Sequence, residues 1–226
     1  MRSERYVTRD ALAPQTAAWL RELRSAIAPR PALELDPPRC ALLVIDMLRY
    51  FVDPAGRCFL PAAPAIVPPL ANLIATWRTQ GWSVVYTQHG HAGPEELGML
   101  GRFFGDYIRA GEPQAEILPA LKPASGDLVV PKTTYDAFLG TDLERRLTSA
   151  GIEQVLVTGV LTHMCCETTA RSAFCRGFEV YVAADAMATS RGELHRASLR
   201  GLADAVAVVM TTEEVLSRCA NPGSPS

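Results

Sequence analysis

Along this chain, short runs of consecutive apolar residues alternate with longer stretches whose apolar positions recur every three or four residues. The runs are CALLVID (40–46), SVVYTQ (83–88), DLVVPK (127–132), QVLVTG (154–159), EVYVAADA (179–186) and AVAVVM (205–210). Each is continuously hydrophobic and rich in valine, the pattern of a strand buried on both faces. Between them, 66–80, 141–150, 163–176 and 190–203 have helical spacing, and Gly81 and Gly151 stand where helix C-caps are expected. Upstream, QTAAWLRELRSAIA (15–28) places Trp19, Leu20, Leu23 and Ile27 at the spacing of an amphipathic helix, and the proline-rich PRPALELDPPR connects it to the first strand. Strands alternating with helices through short links predict an α/β fold: three layers, α/β/α, around a six-stranded, mainly parallel, Rossmann-like sheet. The expected organisation is a helix and connector over 1–39 packed on the core, one domain over 40–218, and a flexible tail over 219–226. The glycine-rich stretch 89–119 is the least regular and reads as a lid or a subunit contact.

The 226 residues suffice for one domain with a sizeable core, and 48% hydrophobic with 20% charged residues is ordinary for a soluble globular chain. A formal net charge of -2 gives no electrostatic reason to expect nucleic acid or an acidic membrane as partner. No apolar run reaches the roughly 18 residues of a membrane span. The N-terminal MRSERYVTRDALAPQ lacks the apolar core of a secretory signal, so a cytoplasmic location is expected. Reduced thiols are therefore expected for Cys40, Cys58, Cys165, Cys166, Cys175 and Cys219. With no CxxC and no HExxH, zinc lacks its usual ligand spacing, and no metal or cofactor is expected.

In open α/β sheets, ligands bind beyond the carboxyl ends of the strands. Three chemically unusual features fall there: Asp46 ends the first run, Lys132 ends the third, and the Cys165-Cys166 pair follows the fourth. An ammonium and a helix N-terminus both favour a thiolate, which predicts a lowered thiol pKa. A carboxylate can take the thiol proton and return it to a leaving group, while backbone N–H groups in the turn bind an oxyanion. Together these groups are equipped to hydrolyse a C–N bond through a thioester. Neighbours on a helix point about 100° apart, so only one cysteine of the pair can face a cavity, and spacing alone does not choose.

The motifs LLVIDM with Asp46, PKTTYDAF with Lys132, and TGVLTHMCCETTARSAF, in this order, resemble the isochorismatase-like cysteine hydrolases. That group includes nicotinamidases, N-carbamoylsarcosine amidohydrolases and isochorismatases, and the resemblance runs from about Cys40 to Leu216. It implies the isochorismatase-like hydrolase fold and a catalytic set of Asp46, Lys132 and Cys165, with the nucleophile at the first cysteine. It also implies a cis peptide between Val160 and Leu161, oxyanion donors at the amides of Leu161 and Cys165, and a homo-oligomer, either dimer or tetramer. Candidate substrate contacts are Phe51, His89, Tyr135, Phe138 and His163. True isochorismatases, which cleave a vinyl ether without a thiol, carry glycine at the position of Cys165 and a glutamine at that of His89. The glutamine that usually follows the IDM motif is Leu48 here. Nicotinamidases hold a metal through an Asp-x-His arrangement, whereas TQHGH offers His89 and His91 without the aspartate.

Plainer readings stand beside these. Cys166 and Cys175 fit small core positions, and His195 and Arg200 fit a solvated helix face. The expected activity is a cysteine hydrolase acting on a small amide, lactam or carbamoyl compound. Vinyl-ether hydrolysis releasing pyruvate, with Asp46 as acid, is the first alternative. A non-catalytic small-molecule-binding protein on the same scaffold is the second; no GxGxxG or GxxxxGK[ST] follows any strand to cradle phosphate.

Overall fold

The computed structural model describes residues 2–29 and 33–220. Six strands, β1 (Cys40–Ile45), β2 (Val84–His89), β3 (Leu128–Lys132), β4 (Gln154–Val160), β5 (Glu179–Ala188) and β6 (Ala207–Met210), form one sheet in the order β3-β2-β1-β4-β5-β6. Every pairing is parallel, so the sheet is wholly rather than mainly parallel. The helices are α1 (Arg9–Ala26), α2 (Arg49–Val52), α3 (Ala63–Thr79), α4 (Gly98–Phe104), α5 (Leu143–Ser149), α6 (Glu167–Cys175), α7 (Gly192–Ala205) and α8 (Thr212–Ala220). A single π-helical turn, Thr162–Cys166, lies between β4 and α6.

The unbroken apolar runs follow from burial on both sides. Cys40, Leu42 and Val44 of β1 pack with Leu70, Leu73 and Trp77 of α3 and with Val215 of α8. Ala41, Leu43 and Ile45 face Leu143 and Leu147 of α5, Ala170 and Ala173 of α6, and Leu199 and Leu202 of α7. Each fully buried leucine or valine contributes roughly 1.5–3 kcal/mol over an exposed one, so two such layers sustain the fold. Among the described residues no helix is long and apolar enough to cross a membrane.

The chain leaves β1 for β2 on one side and returns to β4 on the other. The strand order therefore reverses between β1 and β4, and a crevice opens at their carboxyl ends. There the two strands approach closely. Gly159 pairs with Ile45 at φ +103, and a Cβ at that position would meet the Ile45 carbonyl oxygen at 2.1 Å. Gly159→Ala is expected to cost roughly 3–5 kcal/mol, combining left-handed strain with overpacking. Urea denaturation checks this, and an unchanged midpoint would contradict it.

Four expectations need correction. The first helix starts at Arg9 rather than after Pro14, which lies inside it and forfeits the bond to the Asp10 carbonyl without ending the helix. The tail does not begin at 219: α8 reaches Ala220, with Cys219 buried, and 221–226 lie outside the described residues. A capping box starts α8, since Thr211 Oγ1 accepts from the Glu214 N–H (3.1 Å) and Glu214 Oε2 accepts from the Thr211 N–H (2.8 Å). Asp185 adds to it, its two oxygens accepting from the Thr212 N–H and hydroxyl at 2.7 Å each. Finally, His195 is not on a solvated face: it is 1% exposed, whereas Arg200 is exposed. Cys175, read as a core position, is exposed at the end of α6.

Candidate active site

The structure gathers Asp46, Lys132 and Cys165 at the crevice. Asp46 follows β1 in the left-handed region, at φ 45, a conformation that costs a non-glycine residue of order 1 kcal/mol or more. Its N–H donates to Thr87 Oγ1 (3.0 Å), and the Thr87 hydroxyl donates to Asp46 Oδ1 (2.6 Å). Lys132 ends β3, two strands from β1, a gap of roughly 10 Å that only a long side chain can span. Its ammonium lies 2.6 Å from Asp46 Oδ2, donates to the Thr134 carbonyl at 2.8 Å, and is 3.5 Å from Cys165 Sγ. Both ionic side chains are completely buried.

The cysteine pair divides as helical geometry requires. Cys165 lines a cavity of about 200 Å³, whereas Cys166 is fully buried with its Sγ 3.7 Å from the Thr158 carbonyl oxygen. The Val160–Leu161 peptide is cis. The residues expected to open an α-helix instead form the π-turn, and α6 proper begins at Glu167.

The electrostatics differ from the expectation of a lowered thiol pKa. Burial pushes Cys165 up to about 12; Lys132 pulls it down, but the adjacent Asp46 carboxylate opposes that pull. Burial also works against charge on Asp46, yet Lys132 and the hydrogen bonds outweigh it and hold the carboxyl below its ordinary value. Asp46 in turn keeps Lys132 above its ordinary value despite burial. The resting cluster is a carboxylate–ammonium pair beside a neutral thiol. Iodoacetamide is expected to label exposed Cys175 before Cys165 at neutral pH, with Cys165 labelling still rising well beyond the ordinary thiol value of 9.0. A Cys165 labelling midpoint below that value, measured by peptide mass spectrometry, would contradict this.

His89 ends β2, with Nδ1 3.3 Å from the Lys132 ammonium and Nε2 3.2 Å from His91 Nε2. Burial and then Lys132 lower its pKa to about 4, so the ring is neutral. Both ring nitrogens thus face other nitrogens, Nδ1 the Lys132 ammonium and Nε2 the His91 ring. These histidines do not fit a metal. Their Nε2 atoms face each other at 3.2 Å, a cation lies beside His89 Nδ1, and among the described residues no group of three His, Cys, Asp or Glu is placed to hold a metal ion.

Of the expected substrate contacts, Phe51, His89 and Tyr135 line the cavity. Phe138 and His163 do not. Phe138 is core, stacked on Phe178 at 5.9 Å beneath the Arg176 guanidinium. His163 turns away, its Nδ1 2.6 Å from Thr189 Oγ1. Residues that sequence reasoning missed complete the wall: Tyr50, Arg57 and Cys58 after β1, Leu100, Phe104, Asp106, Tyr107 and Ile108 from the irregular stretch, and Met164. No periodicity marks them, because a loop's contacts are set by its path. Leu48, where the family's glutamine was missing, is fully buried. Arg57 is already committed, donating to the Tyr107 carbonyl at 2.6 Å and lying 3.4 Å from Asp106. Tyr50 donates to Asp106 at 2.8 Å.

Comparison with known proteins agrees with this architecture. The chain is 38% identical to Nicotinamidase 3 of Arabidopsis thaliana over 181 residues, covering 77% of this chain and 86% of that protein. It is 33% identical to a protein of Pseudomonas chlororaphis described as a probable isochorismatase, over 80% of this chain and 87% of that one. Its fold matches the crystal structure of a cysteine hydrolase from Pseudomonas syringae pv. phaseolicola with a TM-score of 0.83 at 28% identity, covering 86% and 99% of the two chains. The isochorismatase domain family model matches residues 40–214, and the chain belongs to that family of hydrolases.

Proposed function

We propose that this protein is a cysteine hydrolase that cleaves a C–N bond of a small, uncharged carboxamide, lactam or carbamoyl compound. The observation that carries this reading is the buried Asp46–Lys132–Cys165 cluster, which meets an apolar cavity through the Cys165 sulfur. Substrate enters between the aromatic rings of Phe51 and Tyr135, with its carbonyl carbon over Sγ. As sulfur attacks, the thiol proton passes to Asp46, and the carbonyl oxygen becomes an oxyanion bound by the amides of Leu161 and Cys165. Asp46 then returns the proton to nitrogen, the C–N bond breaks, and ammonia or an amine leaves the thioester. Water, deprotonated by Asp46, attacks the thioester; the carboxylic product departs and the Cys165 thiol is restored. Lys132 keeps Asp46 ionised at the start of each half-reaction.

The cavity also weighs against an anionic vinyl-ether substrate. Among the described residues its one lining guanidinium, Arg57, is tied to Asp106 and a carbonyl, and the Lys132 charge is spent on Asp46. The relative described as a nicotinamidase makes nicotinamide the first probe. Ammonia release from nicotinamide or another carboxamide in a panel, lost on Cys165→Ala, is the expected result. Pyruvate release from isochorismate that survives Cys165→Ala would replace this reading with vinyl-ether chemistry. Turnover of neither class would favour a binding protein.

A further inference from the structure

Behind the turn that carries Cys165 lies a polar cluster that the proposed chemistry does not use. His195, near the start of α7, is 1% exposed, and its Nδ1 lies 2.9 Å from Oγ1 of Thr162, the first residue of the π-turn. One turn further along α7, Ser198 Oγ donates to the Thr162 carbonyl at 3.3 Å. Helix α7 thus holds Thr162 by side chain and main chain, three residues before the sulfur.

The N-terminal segment closes over the histidine. The rings of Trp19 and Tyr6 lie 5.4 Å and 5.7 Å from its own. Tyr6 is itself fixed, its hydroxyl accepting from the Thr189 N–H at 3.0 Å, and the Glu4 carboxylate accepts from the Gly192 N–H at the head of α7 (2.9 Å). Burial lowers the histidine pKa to about 3, so the ring is a neutral hydrogen-bond partner and adds no charge near Lys132. Phenylalanine or leucine would fill this space without desolvating ring nitrogens. Neither could hold the Thr162 hydroxyl.

We propose that His195 is a positioning residue: through the Thr162 hydroxyl it fixes the turn from Leu161 to Cys165, and Tyr6 and Trp19 hold it in place. The role assigned to the turn rests on Cys165 being the nucleophile. The N-terminal segment then becomes part of the reaction apparatus, acting from the far side of the nucleophile turn.

The test uses the full chain with His195→Phe, His195→Asn, Thr162→Val and the double variant His195→Phe/Thr162→Val. The primary readout is the pH profile of Cys165 alkylation by iodoacetamide, mapped by peptide mass spectrometry, which needs no substrate. Loosening the turn admits water to the thiol, so His195→Phe and Thr162→Val each move the profile down by about one pH unit or more, because burial is what raises it. The double variant moves it no further than either single one, since both remove the same bond. His195→Asn, whose side-chain amide can take the place of Nδ1 as donor or acceptor, returns the profile toward wild type. Unchanged profiles in the folded variants, or additive shifts, overturn the proposal. If His195→Phe fails to fold, Thr162→Val, nearly identical in shape to the native residue, carries the test alone.

On a carboxamide that the enzyme hydrolyses, the same two variants lower kcat roughly 10- to 100-fold through misplacement, with KM nearly constant. A loss confined to KM would contradict a positioning role. Turnover that survives Cys165→Ala would defeat the nucleophile assignment, an outcome separate from either alkylation result.

Discussion

Replacing Cys165 with alanine is expected to lower kcat/KM for any carboxamide the enzyme cleaves by on the order of 10⁴-fold or more, the usual scale for loss of a covalent nucleophile. The protein should stay folded. Cys165 borders the cavity, so removing its sulfur enlarges space that already exists. The Asp46–Lys132 pair keeps its 2.6 Å contact and its hydrogen bonds to Thr87 and Thr134, leaving no charge unpaired. A stability loss of about 1 kcal/mol is typical of such a change. Cys166→Ala provides the contrast. Its sulfur is fully buried in the core on the far side of the turn, so it should cost stability and spare turnover. Steady-state kinetics on both variants decide the assignment. If Cys165→Ala turned over at the wild-type rate, or if Cys166→Ala alone were dead, the pair would have been assigned the wrong way round or the thioester route would be wrong.

Lys132→Met should be the most destabilising single change at the site. It leaves the Asp46 carboxylate wholly buried without its cation, and stranding one partner of such a pair typically costs about 3–5 kcal/mol. Adding Asp46→Asn should recover part of that loss, because no buried charge then remains. The pH dependence has a definite sign. In the wild type, Asp46 titrates below its ordinary 3.8, so its contribution is present above pH 3.8 and fades as pH falls through the depressed folded value. Lys132 titrates above its ordinary 10.5, so its contribution is present below that pH and fades as pH rises through the elevated folded value. The Cys165 thiol, raised from 9.0 to about 12, favours the folded state up to pH 9 and loses that contribution between 9 and 12. The pair therefore supports the fold across the whole neutral range. In Lys132→Met, burial acts on Asp46 unopposed and raises its folded pKa above 3.8, which reverses the trend. The variant's deficit should be large at pH 7.5 and shrink toward pH 4.5. Urea denaturation of both proteins at those two pH values tests this, and a deficit independent of pH would mean that Asp46 does not depend on Lys132 for its charge.

The parallel sheet was readable in the chain because a strand covered on both faces has no polar side to alternate with. Five of the six apolar runs begin within one residue of an observed strand, and the AVAVVM strand begins two residues later than its run. The start of α8 is legible too, since Thr211 and Glu214 carry the spacing of a capping box. Asp46, Lys132 and the cysteine pair could be singled out because the carboxyl ends of strands in such a sheet converge by construction.

Three matters lay beyond any linear pattern. Which cysteine faces the cavity depends on the π-turn at Thr162–Cys166, whose hydrogen bonding is set by packing against β4 and α7. The protonation of the thiol depends on how completely neighbouring elements exclude water from it; an ammonium 3.5 Å away is outweighed by burial and a nearby carboxylate. His195 occupies a helical position that looks solvated until residues nearly two hundred positions earlier, Tyr6 and Trp19, are folded over it. Local periodicity and strand-end chemistry are properties of neighbouring residues and can be read along the chain. Burial, charge state and the partners of loop residues are properties of distant segments brought together, and exist only once the sheet and its two helical layers have closed.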